Sequence, residues 1–372
     1  MITLFCIHPK GFNVGNDAIH FALRELLHAA FGRVVNVISL PATAHYESQA
    51  NAGLTAKTIH QINRYGDGVI VGGGNLYENG ELLLSTDALE ALEPPLMLFS
   101  LSRGRIFNRN LQLVQRTDVM PRRSIELLHK KARYSLARDK ATYEYLQSIG
   151  CTQAVLAGCP TIALGRSVEQ LPKLPDAEVA GALISIRTPT LMNLPLRLQA
   201  RVQGDIARTI EALRARNVGR IRLLCNDVRD VEFATVFQAS HSVDYVYTAD
   251  VRWYLSLLRS AKLVISYRVH ATLPCLSFGT PVINLSYDER GLSLLETLGM
   301  GAWDIDFPHS PDAASAIQGR FDAMESLSGL RENANPLWDS LCELQLAQMN
   351  QFAAEVHDYA RQAHAAGRNR PN

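Results

Sequence analysis

Four strand-to-helix junctions in this sequence carry residues suited to holding an anion. The strongest is Ser266-Tyr267-Arg268-Val269-His270-Ala271, which follows a β-branched run and opens an apolar helix. A fixed positive charge, a titratable imidazole and a helix N-terminus coincide there, and all three favour phosphate or carboxylate. The alternative is a pair of polar residues satisfied at a domain surface. Ala137-Arg138-Asp139 ends a short strand. Arg138 would aim into a cleft while Asp139 caps the next helix, or the two form a salt bridge. Gly72-Gly73-Gly74-Asn75 closes another strand. Three glycines cost backbone entropy, so they imply the close approach of a ligand or a helix. The fourth junction, Gly11-Phe12-Asn13-Val14-Gly15-Asn16-Asp17, offers helix amides to an anion, or serves as a turn and cap. Its spacing is not GxGxxG, and no GK[ST] follows the triple glycine, so neither a dinucleotide fingerprint nor a P-loop is present. Arg187 and the run Tyr287-Asp288-Glu289-Arg290 stand at two further strand ends.

Strands alternating with helices must position these junctions. Strands are expected at Ile2 to Ile7, Val34 to Ser39, Gly68 to Val71, Leu96 to Leu101, Tyr134 to Ala137 and Thr152 to Leu156. Helical patterns run from Asp17 to Phe31, Thr55 to Tyr65, Pro121 to Lys131 and Lys140 to Ile149. Arg166 to Ala180, with Pro172 and Pro175, reads as an interdomain linker. The alternation then restarts. Strands are expected at Gly181 to Ile186, Arg220 to Cys225, Leu263 to Ser266 and Pro281 to Leu285. Helices are expected at Leu196 to Asn217, Arg229 to Ala239, Asp250 to Ala261 and Val269 to Phe278. A long amphipathic helix runs from Pro336 to about His364, and Gly367 to Asn372 should fray. This is an α/β chain of two Rossmann-like domains facing a cleft. Its expected parts are residues 1–170, residues 171–335, and a C-terminal helix, residues 336–372, returning to the first domain.

Composition narrows the partners. Of 372 residues, 47% are hydrophobic and 20% charged, which fits a globular enzyme and excludes a disordered chain. Lys plus Arg total 37 against 36 acidic residues, a net charge of +1, so broad electrostatic binding to nucleic acid is not expected. No apolar run of about 18 residues occurs, so no transmembrane helix is expected. Met1 to His8 lacks the basic n-region and cleavage site of a signal peptide. The six cysteines form no CxxC pair and read as buried thiols of a reducing compartment. With scattered histidines, no zinc site is expected. The basic set Arg103, Arg105, Arg109, Arg116, Arg122, Arg123, Lys130 and Lys131 is either a solvated face or a patch that docks on anionic lipid.

The order GFNVGNDAI, DGVIVGGGNL, YSLARDKATYEYLQSIG and LVISYRVHATLPCLSFGTPVINLSYDERGLSLLETLG resembles the polysaccharide pyruvyl transferase family, over Met1 to Met300. That family carries a Gly-Asp turn, a triple glycine, an Arg-Asp pair and a late Arg-Leu-His segment. These fall on Gly15, Asn16 and Asp17, on Gly72, Gly73 and Gly74, on Arg138 and Asp139, and on Arg268, Val269 and His270. Val269 replaces a leucine. Cys159-Pro160 stands where many members have Asp-Pro, and Arg290 keeps the charge of a lysine.

The resemblance implies a GT-B-like fold and transfer of pyruvyl from phosphoenolpyruvate to a sugar as a cyclic ketal, in polysaccharide or exopolysaccharide biosynthesis. Arg268, Val269, His270, Arg138 and Arg290 would bind the donor. His270 would be the general acid that protonates the methylene carbon, and Asp17 the base for a sugar hydroxyl. Gly15, Asn16, Gly73, Gly74, Asn75 and Arg187 would line the cleft on the acceptor side. No metal or other cofactor is expected, because arginines can stabilise the charge. The expected location is cytoplasmic, with the inner membrane face as a docking surface if the acceptor is lipid-linked; a nucleotide-linked acceptor is the other case. Two rivals stay open: a GT-B glycosyltransferase using a nucleotide sugar, and a non-catalytic sugar- or anion-binding relative.

Overall fold

The computed structural model describes residues 1–11, 13–32, 35–45, 51–78 and 80–365. The first half runs β1 (Thr3–His8), α1 (Val14–Phe31), β2 (Asn36–Pro41), α2 (Ala56–Tyr65), β3 (Gly68–Gly74), a one-turn α3 (Thr86–Leu89) and β4 (Leu96–Leu101). A small hairpin, β5 (Ile106–Phe107) and β6 (Leu113–Val114), precedes α4 (Arg122–Lys131), β7 (Tyr134–Ala137), α5 (Lys140–Ser148) and β8 (Ala154–Leu156). Six of these strands form one parallel sheet in the order β2-β1-β3-β4-β7-β8. Every residue of β3 and β4 is buried, as central strands covered on both faces require.

The second half runs β9 (Ala182–Ile186), α6 (Leu196–Ala215), β10 (Ile221–Cys225), α7 (Val231–His241), β11 (Asp244–Tyr247), α8 (Val251–Ser260) and β12 (Val264–Ser266). There follow α9 (Val269–Phe278), β13 (Val282–Ser286), α10 (Glu289–Thr297), β14 (Ile305–Asp306), α11 (Ala313–Asp322) and α12 (Met324–Ala365). The second sheet is also parallel, in the order β11-β10-β9-β12-β13-β14. In each sheet the strand order reverses once, between β1 and β3 and between β9 and β12. Ligands of open parallel sheets bind in the crevice outside the strand ends at such a reversal.

Most expected elements fall within two or three residues of those observed. Val34, the expected start of the second strand, lies outside the described residues, as do Gly367 to Asn372. Six elements lie outside the expected ones: α3, the hairpin strands β5 and β6, β11, α10 and β14. Strand β11 is a half-exposed edge of four residues and β14 has two, too short to carry a period. The last helix starts at Met324 instead of Pro336. Leu327, Ala334 and Trp338 are buried on either side of the proline, and Trp338 Nε1 donates to the Leu298 carbonyl at 2.8 Å, so packing carries the helix across it. Further along, Met349, Phe352 and Val356 join Leu4 and Leu23 in a first-domain core. The C-terminal helix therefore crosses back to the first domain and packs on α1.

The expected linker is partly structured. Pro160–Gln170 forms 3₁₀ turns whose Ile162 and Leu164 are buried with the second-domain core. The Ser277 hydroxyl of α9 donates to the Ile162 carbonyl and accepts from the Gly165 amide, both at 2.7 Å. The chain thus reaches the second domain before Arg166. Helices α5 and α10 bind the domains directly. The amides of Lys140 and Ala141, at the start of α5, donate to the hydroxyls of Thr297 and Ser293 at 2.9 and 2.8 Å. Helix-start amides lack intrahelical partners, so here the opposite domain supplies them. All six cysteines are free and buried. Among the described residues, no helix is long and apolar enough to cross a membrane.

Candidate functional site

Both reversal points open onto one cavity between the domains, with about 200 Å³ of space open to water. From the second domain, Arg268, Val269 and His270 reach it off the end of β12, Arg187 off β9, and Tyr287, Asp288 and Arg290 off β13. From the first come Lys10, Asn13 and Asn16 after β1, Asn75 and Glu81 after β3, and Arg138 after β7. Among the described residues, the lining carries six basic ones, Lys10, Arg138, Arg187, Arg229, Arg268 and Arg290, against two acidic ones, Glu81 and Asp288.

The six cations are not equivalent. Arg187 lies 3.2 Å from Asp227 and 3.7 Å from Asp230. Arg229 also pairs with Asp227, at 2.5 Å. Arg290 bonds Glu78 at 3.0 Å and Asp288 through two nitrogens. Lys10 donates to the Ser39 carbonyl at 3.1 Å. Arg138 and Arg268 differ from these. Arg138 is 4% exposed, and its Nε and Nη2 are buried with no hydrogen-bond partner. Arg268 is 7% exposed and makes no ion pair among the described residues. A buried guanidinium without a partner costs several kcal/mol, about 3–5 for a broken pair, so an anion placed beside it would recover that cost.

Helix α9 extends this cradle. Arg268 is its N-cap, with its amide donating to Ser266 Oγ at 3.0 Å. The next two amides, of Val269 and His270, have no carbonyl or side-chain partner among the described residues. A chain of side chains holds this turn. Ser185 Oγ donates to Asn226 Oδ1 at 2.8 Å, and Asn226 Nδ2 reaches Tyr254 Oη at 2.6 Å. Tyr254 Oη in turn donates to the His270 carbonyl at 3.2 Å. His270 Nε2 is buried and unpartnered. Its imidazole is held well below the usual value, first by burial and then by Arg138, Arg268 and Arg290. Burial and the three cations thus favour the neutral ring. A bound dianion reverses the sign of that field.

Helix α1 meets His270 from the other domain. A Cβ on Gly15 would stand 2.4 Å from His270 Cβ and 2.6 Å from its Nδ1, so only glycine fits against the ring. The first amides of α1 are occupied. Val14 N donates to the Asn226 carbonyl at 2.9 Å, Gly15 N to Asn13 Oδ1 at 3.1 Å and Asn16 N to the Asn13 carbonyl at 3.0 Å. The Gly11 to Asp17 turn thus joins the domains and caps a helix, and these three amides offer nothing to an anion. Phe12 of that turn lies outside the described residues. Gly73, with φ +85°, would place a Cβ 2.6 Å from Ile19 Cγ2, so the triple glycine admits α1 against β3.

Among the residues expected at the site, Arg268, Val269, His270, Arg138, Arg187, Arg290, Asn16 and Asn75 line the cavity. Gly15, Gly73 and Gly74 stand behind the lining. Asp17 is half-buried, does not line the cavity, and has a carboxyl pushed up to about 6 by burial against the pull of Lys10. Asp139 caps α5, accepting from Thr142 N at 2.9 Å, and Ser293 of the other domain donates to it at 3.2 Å. Its pKa is pushed up to about 6 by burial. Lys10, Glu81 and Arg229 on the lining were not singled out, and Tyr287 was noted only within the run that follows a strand end. Lys10 and Tyr287 stand just past strand ends, where that position alone is a signal. Glu81 sits in a loop with no motif to mark it. The basic set of the first domain is dispersed. Arg105 bonds Glu289, Arg116 bonds Asp118, Arg122 bonds Glu126, and Arg103 stacks 3.7 Å over Tyr145.

The sequence profile of the polysaccharide pyruvyl transferase family matches residues 13–289. A search of curated proteins finds no match. Among solved structures, MnaA of S. aureus, determined with UDP, is 13% identical with a TM-score of 0.58, covering 89% of this chain and 91% of that one. The UDP-GlcNAc 2-epimerase of Methanocaldococcus jannaschii, determined with UDP-GlcNAc and UDP, is 11% identical with a TM-score of 0.55, covering 85% and 92%. An H444N variant of the wall teichoic acid polymerase TagF is 11% identical with a TM-score of 0.52, covering 98% and 90%. At these identities the likeness is one of fold, a GT-B-like pair of domains.

Proposed function

The chain belongs to the polysaccharide pyruvyl transferase family, and from that premise we propose that it moves pyruvyl from phosphoenolpyruvate to a sugar of a polysaccharide or its precursor. The products are a cyclic pyruvate ketal and phosphate. The observation that carries this reading is the cradle formed by Arg138, with two buried unpartnered nitrogens, by Arg268, and by the open amides of α9. Phosphoenolpyruvate carries a phosphate and a carboxylate on adjacent atoms and needs donors for both. Charge-assisted hydrogen bonds from two guanidinium groups and a helix N-terminus meet that need.

Chemistry starts with a proton on the methylene carbon, C3, which makes C2 electrophilic. His270 is the proposed acid. Burial and the nearby arginines favour its neutral form. The donor's negative charges would raise its pKa, so donor binding itself loads the proton. Gly15 fixes the ring, since no side chain can stand between α1 and the imidazole. Arg187 and Arg290, already paired, frame the site by holding the strand ends and the two domains.

The test is phosphate release from phosphoenolpyruvate across a panel of acceptor sugars, run beside nucleotide release from UDP- and GDP-sugars. Acceptor-dependent phosphate release supports the reading. Nucleotide release overturns it in favour of a glycosyltransferase, and tight donor binding without turnover makes the chain a binding relative.

A further inference from the structure

A sugar hydroxyl that attacks C2 must lose its proton, and the cavity narrows the choice of acceptor for it. Among the described residues, two carboxylates line it, Glu81 and Asp288. Asp288 is committed: one oxygen caps α10 through the Gly291 amide at 3.1 Å, and the other holds Arg290. Glu78, just behind, is fully buried and bonds the Gly104 amide at 2.6 Å and Arg290 at 3.0 Å. Asp17 does not reach the lining. Glu81 is half-buried, and its carboxylate makes no hydrogen bond or ion pair among the described residues.

The backbone on both sides holds Glu81 in place. Its amide donates to the Glu78 carbonyl at 2.9 Å, and Leu83 N donates to the Ala42 carbonyl at 2.9 Å. It stands on the first-domain wall beside the amides of Asn13, Asn16 and Asn75, while the anion cradle is built around the second domain's α9. Three side-chain amides and a free carboxylate match the hydroxyls of a sugar.

We propose that Glu81 receives the proton of the attacking sugar hydroxyl, which makes it a catalytic residue on the acceptor side. This rests on the phosphoenolpyruvate reading above. In the first step the sugar O–C2 bond forms as its O–H bond breaks, with that proton going to Glu81. The C2–C3 double bond takes a proton from the acid at C3 and becomes a methyl group. In the second step a neighbouring hydroxyl bonds to C2, the C2–O bond to phosphate breaks, and the second hydroxyl's proton leaves with the phosphate. The groups whose charges act on Glu81 are His45, Arg229, Glu78 and Arg290, and burial is the largest influence, pushing its pKa up.

The experiment follows phosphate release with phosphoenolpyruvate and an accepted sugar, with donor affinity measured by calorimetry. Glu81→Gln should lower kcat by about 10²–10⁴-fold, the usual contribution of one base, and leave donor affinity unchanged. In the wild type, activity should fall as pH drops through the Glu81 pKa, because the base is lost by protonation. That acidic limb should vanish in Glu81→Gln and persist in Glu81→Asp. Added acetate should restore turnover to Glu81→Ala, a rescue that a merely structural role would not give. Wild-type turnover in Glu81→Gln, or an acidic limb that survives in it, overturns the assignment alone. A wild-type protein that binds no phosphoenolpyruvate overturns the donor reading and this assignment with it.

Discussion

Helices α1 and α9 both follow a strand at the reversal point of a parallel sheet, and both turn their N-termini toward the same cavity. Helix α1 opens on Asn13-Val14-Gly15-Asn16 and α9 on Arg268-Val269-His270. In α1 three successive amides are engaged, two by Asn13 and one by the second domain's Asn226. In α9 the two leading amides have no partner among the described residues, nor has the neighbouring Arg268 an ion pair among them, and Arg138 also lines the cavity from the first domain. A helix dipole and a glycine-rich turn are therefore not enough to make an anion site. What distinguishes the two ends is whether the protein leaves its own donors unsatisfied. Helix α1 fixes geometry by pressing glycine on His270, and α9 holds charge.

The largest effect expected on the α9 side is at His270. His270→Ala should lower turnover by about 10²–10⁴-fold while folding stays near wild type. His270→Gln keeps a hydrogen-bonding group but cannot protonate carbon, so it should bind donor and turn over poorly. Wild-type turnover in His270→Gln would reduce His270 to a binding residue. A thermodynamic check is independent of rate. His270 is held neutral in the free protein and should gain a proton when the dianion binds. Calorimetry in buffers of different ionisation enthalpy should show proton uptake in the wild type that is smaller in His270→Gln. For the same reason, activity should fall as pH rises through the donor-bound pKa of His270, since the acid is lost by deprotonation.

Arg268→Ala comes next. Losing a charged hydrogen bond to a dianion should weaken donor affinity by about 2–4 kcal/mol, or about 30- to 1,000-fold. Arg268→Lys should restore part of it, because the paired geometry of the guanidinium is lost. Arg138→Ala should act in the same direction. Unchanged donor affinity in either alanine variant would remove the contrast between the two helix ends.

Gly15→Ala tests the α1 side. Its methyl would stand 2.4 Å from His270 Cβ, so either α1 or the imidazole must move. Overpacking of this kind costs about 1–3 kcal/mol. Thermal unfolding should report that loss, and turnover should fall further than donor affinity, because the displaced group is the proposed acid.

The α9 end was legible from the sequence because the chemistry and the turn share six consecutive residues, Ser266 to Ala271. The switch from a β-branched run to an apolar helix placed Arg268 and His270 at a strand's carboxyl end, where the structure has them. The sheets were legible for the same reason, through fully buried runs such as Leu96 to Leu101. Three kinds of feature were not. Strand β11 and β14 are short edges whose pattern is too brief to register. The engagement of the α1 amides depends on Asn226, more than 200 residues away in the chain, and no local pattern carries that. Glu81 lacks a motif, and its standing comes only from what its neighbours leave unoccupied. Arg290 shows the same limit in reverse. Its charge was evident, but its partner Glu78 lies in the other domain.

The smallest expected effect bears most directly on the comparison of α1 with α9. Asn13 caps α1 through its side chain, with Oδ1 3.1 Å from Gly15 N, and its carbonyl accepts from Asn16 N. Asn13→Ala removes the side-chain bond and leaves the carbonyl in place. Loss of an N-cap costs about 1 kcal/mol of stability, so denaturant or thermal unfolding should register a modest drop. Donor affinity should not change, because Val14 N stays on the Asn226 carbonyl and the freed Gly15 amide lies behind the lining, against His270. The substitution thus separates a helix end whose amides serve anchorage from one whose amides serve the anion. If Asn13→Ala weakens phosphoenolpyruvate by the margin expected for Arg268→Ala, the α1 turn belongs to the donor site after all. If it lowers stability and leaves the donor alone, the α1 amides stay outside the donor site and the anion falls to α9 with Arg268 and, from the first domain, Arg138.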